Sequence, residues 1–144
     1  MSLEQPLFLE LNVSGYVSAF HLVIENLSNS KLELITSIQG DAEWFGLLRE
    51  GNLKSNSNFS DLLINQMSVE SSLLRAENFT LDRDVEMYSA TLSLGGSKCK
   101  SDIRALIQGK GVTYNQKIAI HGVDKRSDDI HLSCLLYTSD AADD

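Results

Sequence analysis

Cys99 stands between Lys98 and Lys100. Nearby ammonium groups favour the thiolate, which is the nucleophilic and metal-binding form of cysteine. Thiol catalysis or sulfur transfer would be the chemistry. An extended chain works against it, because adjacent strand residues project to opposite faces and part a cysteine from its flanking lysines. His21, His121 and His131 lack the short His–His spacing that marks a local metal site. A coiled architecture could set His121 and His131 on adjacent coils beside Asp128 or Asp129, but solvated strand and turn positions account for them more simply. Asp124 to Asp129 reads as a solvated turn of mixed charge. Asn12, Asn26, Asn58 and Asn78 each begin a glycosylation sequon, which has meaning only in a secreted chain. There is no phosphate loop, Gly-x-Ser-x-Gly, Cys-x-x-Cys or acid/base carboxylate pair. No catalytic, cofactor-binding or metal-binding residue is singled out, and a non-enzymatic chain is expected.

The elements that would hold these residues are strands. Leu7–Val13, Tyr16–Ile24 and Lys31–Ile38 alternate apolar and polar residues. Asp61–Met67, Ser72–Leu81, Val85–Leu94, Val112–His121 and a strand starting at Asp129 continue the pattern. Thr91 to Gly111 contains two strand patterns, one leading into the Gly95-Gly96 turn and the other ending at Gly109-Lys110-Gly111. Ala42 to Asn58 is the least regular part and reads as a long loop or a loosely paired excursion. No segment carries a capped helical period. Short strands at this spacing fit a sandwich, a barrel or a solenoid. A recurring unit favours the solenoid: a strand, a short polar turn, then apolar-x-apolar. It recurs at Val23–Leu34, Phe79–Met87 and Leu106–Tyr114.

With 144 residues the chain is long enough for one domain with a core. A formal charge of −8 excludes a nucleic-acid partner of the usual kind, since no basic stripe replaces counterions. No apolar run reaches the roughly 20 residues needed to cross a bilayer. No signal peptide precedes the first strand, so a cytoplasmic chain with unpaired Cys99 and Cys134 is expected.

Leu94-Gly-Gly-Ser-Lys-Cys-Lys-Ser-Asp-Ile103, Leu106-Ile-Gln-Gly-Lys-Gly111 and the segment from Ile120 to His131 resemble the core of the SufB/SufD family. These proteins are scaffold subunits of the SUF system of iron–sulfur cluster assembly. Gly95, Gly96, Lys100, Ser101, Asp102, Gly109, Gly111, Asp129 and His131 fit the family pattern, and the wording is closer to SufD than to SufB. Arg126 and Ser127 replace a usual Gln-His. The resemblance implies a right-handed parallel β-helix, truncated on its C-terminal side, over residues 1–133. It also implies a SufB-like paralogue and the SufC ATPase as partners. The family's cluster-handling Cys and His lie beyond Ser133, so the resemblance places no cofactor in this chain. Cys99 falls where the family is usually apolar. Apart from this family, an unrelated β-solenoid or β-sandwich interaction module and a β-helix hydrolase or lyase remain open. Residues 134–144 resemble a translated transposase adapter from DNA library preparation and are expected to be a non-native tail.

Overall fold

The computed structural model describes residues 5–122 and 125–137. The described residues form ten strands: β1 (Leu7–Val13), β2 (Val17–Asn26), β3 (Lys31–Gly40), β4 (Trp44–Leu53), β5 (Asn58–Met67), β6 (Ser72–Leu81), β7 (Glu86–Ser93), β8 (Lys98–Ile107), β9 (Thr113–Ile120) and β10 (Ser127–Leu136). They make two five-stranded sheets, β1-β3-β5-β7-β9 and β10-β8-β6-β4-β2. Every pairing is parallel and joins a strand to the next but one. The chain therefore lays one strand on each sheet, turns a corner after each, and returns one layer higher. This is a parallel β-solenoid of two-strand coils, as the repeating unit predicts.

The corners are built alike. Asn29, Asn56, Asp84 and Gly111 each stand two residues before a strand of the first sheet. All four have positive φ, at 62, 60, 58 and 73°. Asn and Asp tolerate this left-handed region through local hydrogen bonding, and glycine enters it without steric cost. Their amides donate to the coil above: Asn29 to Ser55 O, Asn56 to Arg83 O and Asp84 to Lys110 O, at 3.2, 2.9 and 2.9 Å. Asn56 Nδ2 also donates to Asn29 Oδ1 at 2.8 Å. On the opposite side, a β-carbon on Gly95 would overlap the Met67 backbone.

Between the sheets lie two apolar clusters. One gathers Ile38, Phe45, Leu47, Leu63, Met67 and Leu73. The other gathers Leu53, Phe59, Phe79, Leu81 and Met87. A band of polar and charged residues separates them.

The segment expected to be a long loop or a loosely paired excursion, 42–58, contains the fully paired β4 and the first residue of β5. The inward positions of β4 are Phe45, Leu47, Arg49, Gly51 and Leu53. A charge and a glycine on the core face hide the apolar alternation. Gly51 faces inward because the Phe79 ring occupies the space its side chain would take. That ring stacks on Phe59 at 5.8 Å and lies 5.7 Å from the Arg49 guanidinium carbon. Residues 134–136, within the expected tail, extend β10 in register with Ala105–Ile107, while residues 138–144 lie outside the described part.

Gly95→Ala should destabilise the fold by about 1–3 kcal/mol, the cost of forcing an extra methyl into packed surroundings. Gly46 faces open space, so Gly46→Ala should be neutral or stabilising by up to ~1 kcal/mol. Urea unfolding of the two variants beside the parent checks the contrast.

Candidate functional site

Two places concentrate polar chemistry: the band inside the solenoid and a patch on the outside of the second sheet. The interior band begins at Arg49, which is fully buried. Its Nη1 and Nη2 donate to the two Asp61 oxygens at 2.8 and 2.6 Å. Its Nε donates to Glu77 Oε2 at 2.9 Å. Arg75 Nε donates to the same Glu77 oxygen at 2.6 Å, and Arg75 Nη1 to Thr91 Oγ1 at 2.8 Å. Ser89 Oγ donates to Asp61 Oδ2 at 2.9 Å. Parallel register explains the convergence, since Arg49 stands beside Glu77 and Asp61 beside Ser89 in adjacent coils.

Burial alone would raise the Glu77 carboxyl pKa. The charges of Arg49 and Arg75 and their hydrogen bonds outweigh it, and the pKa falls from an ordinary 4.5 to about 2. Burial pushes the Tyr114 hydroxyl up to about 12, helped by the Glu77 charge. Two guanidiniums thus meet two carboxylates. Ser89 is the hydroxyl held by a carboxylate here, and both oxygens of that carboxylate, Asp61, are also engaged by Arg49, so the arrangement is a buried ion cluster.

Cys99 points inward and is buried, whereas Lys98 and Lys100 are exposed on the other face. The flanking lysines therefore do not activate it. The cation it does meet is Arg126, whose Nη2 lies 3.5 Å from the sulfur. Burial raises the thiol pKa, and the opposing pull of Arg126 does not reverse that. Arg126 is the exception to the expected solvated turn, whose other described residues, Lys125 and Ser127 to Asp129, are exposed. Its side chain is only 4% exposed. It donates to Ser93 Oγ at 2.5 Å and to both Asp128 oxygens at 2.7 and 3.1 Å. The sequence offered little sign of this inward turn. Asp124 lies outside the described residues.

The residues that carry the family resemblance divide by place. Gly95 and Gly96 form the β7–β8 corner, and Gly109 and Gly111 the β8–β9 corner. A β-carbon on Gly109 would stand 2.6 Å from the Arg83 backbone. Lys100, Asp102, Asp129 and His131 come together on the outer face of the second sheet. Lys100 is in register with Asp129, and Asp102 with His131. Asp102 accepts from Arg104 at 3.2 and 3.1 Å, and His131 Nδ1 stands 3.8 Å from it. The Arg104 hydrogen bonds hold the Asp102 pKa below its usual value. Beside this patch runs an open trough of about 670 Å³, lined by Ala19, His21, Leu48, Leu74 and Ala76. His21 faces Glu50 at 3.7 Å.

Among the described residues, no group of three or more His, Cys, Asp or Glu side chains could hold a metal ion. His121 and His131 are not brought into such a group. His121 follows β9, and its amide donates to Ser93 O at 2.9 Å. Among the described residues, no helix is long and apolar enough to cross a membrane. Compared with family models, with curated proteins and with solved structures, the chain shows no match.

Arg49→Met should cost about 3–5 kcal/mol, because it strands Asp61 and the shared Glu77 oxygen in the core. Glu77 has a lowered pKa in the fold, so its contribution is complete above the unfolded value of 4.5 and fades as pH falls towards about 2. The stability gap between the parent and Glu77→Gln should therefore shrink between neutral pH and pH ~3 in chemical denaturation. In thiol labelling at neutral pH, exposed Cys134 should react at once and buried Cys99 only on unfolding.

Proposed function

We propose that this chain is a scaffold module that acts by protein–protein assembly rather than by catalysis. Its most specific reading is a SufD-like subunit core in cytoplasmic iron–sulfur cluster assembly, alongside a SufB-like paralogue and the SufC ATPase. The observation that carries the reading is the grouping of the signature residues on a parallel solenoid. Gly95, Gly109 and Gly111 stand at corners where a side chain would collide with the neighbouring coil. Lys100, Asp102, Asp129 and His131 form one outer patch. In this reading the glycines preserve coil stacking and the patch, with its apolar trough, meets the partner. The cluster is cargo of the complex, handled by regions of the family beyond Ser133.

An unrelated β-solenoid interaction module is the second reading, favoured by the trough itself, because an exposed apolar surface of this kind commonly marks a binding face. Co-expression of the tagged chain with a SufB-type paralogue separates the two. Retention of the paralogue, weakened at least tenfold by Leu74→Glu in the trough, is the expected result. No retention of the paralogue would remove the SufD-like reading. Stoichiometric iron and sulfide on the isolated chain would contradict the absence of a cluster site in it.

A further inference from the structure

We infer that the solenoid interior holds a binding site for a single chloride-sized anion, in a cavity beside Arg75, Thr91, Ser93 and Ser101. The cavity has a volume of about 20 Å³, which is room for one solvent-sized occupant. Arg75 is 4% exposed, and its Nη2 has no partner. The other two guanidinium nitrogens are taken, Nε by Glu77 and Nη1 by Thr91. A buried cationic N–H without an acceptor is costly enough to call for one.

The surrounding groups are also poised to donate. Thr91 Oγ1 accepts from Arg75, leaving its own proton to point elsewhere. Ser93 Oγ accepts from Asn65 at 3.2 Å and from Arg126 at 2.5 Å, and its proton is directed to the Cys99 sulfur. Ser101 is the register neighbour of Arg75 in the next coil and lines the same cavity. The carboxylate on the wall, Asp128, has both oxygens engaged by Arg126. Cys99 on the wall directs its thiol to Gly95 O at 3.8 Å.

The lining thus offers protons and few open acceptors. A water molecule would bring two hydrogens that must go to the Ser101 oxygen or the remaining lone pairs of Asp128, whereas a halide brings none to place. Leu63, Ile118 and Ile130 close the remainder of the wall. The small volume and the ion pairs already formed around it select a monovalent, single-atom ligand over sulfate or phosphate.

Two measurements on the whole chain test the site. The first is thermal unfolding in sodium chloride against sodium gluconate at equal ionic strength. The melting temperature should rise with chloride to a plateau, since a ligand of the folded state stabilises it by mass action. Ser101→Val leaves the Arg49–Glu77–Arg75 cluster intact and should raise the half-saturating chloride concentration at least tenfold. The second is a bromide soak of crystals, with an anomalous peak expected within hydrogen-bond distance of Arg75 Nη2. Identical unfolding in both salts, bromide on the surface only, or a water in the cavity that bromide does not replace would each overturn the assignment.

Discussion

Parallel stacking of coils at the ~4.8 Å spacing of hydrogen-bonded strands is the constraint that governs this molecule. Each interior side chain has a register neighbour directly above and below it. A residue is acceptable only if it suits both. Leu11 and Ile38 meet this by stacking apolar on apolar within one core cluster. Phe79 meets it through Gly51, which gives up its side chain so that the ring has space. Arg49 meets it by finding a carboxylate on each sheet, Asp61 and Glu77, within the reach of one guanidinium.

The ion cluster shows what the constraint does to energetics. Burying a single charge here would be prohibitive, whereas a matched set with directed hydrogen bonds is tolerable. Such a set contributes less to net stability than to uniqueness: a coil slipped by one residue would turn Arg49 and Asp61 to solvent and leave Glu77 with Arg75 alone. That argument links the cluster to the outer surface. The fixed register that pairs Arg49 with Glu77 inside also lines up Asp102 with His131 outside. The patch and its trough inherit their geometry from the core.

The sequence made the corners legible because their chemistry is local. Asn, Asp and Gly at Asn29, Asp84 and Gly111 announce positive φ whatever lies around them. The turn at Asn56 has the same chemistry, but β4 before it was obscured by inward Arg49 and Gly51. Residue types that signal solvent or a turn had been placed in the core by pairing across coils. Alternation identified the opposite faces of Cys99 and its lysines, and so correctly separated them. The meeting of Cys99 with Arg126 depends on contacts 27 residues apart, and no local pattern encodes it. The pairing of Asp102 with His131 likewise emerges only once the register is known.

Solenoids commonly change length by gaining or losing whole repeats, since each coil touches only its neighbours. The corner residues of this chain would permit such recombination almost anywhere, because Asn29, Asn56, Asp84 and Gly111 are structurally equivalent. The interior would not. Excising the coil that carries Asp61, Arg75 and Glu77 would join two well-formed corners and leave Arg49 without either carboxylate. Duplicating it would add two acids and one base to a sealed layer. The ion cluster therefore makes the middle of this rod non-interchangeable, and drift in coil number is confined to its ends.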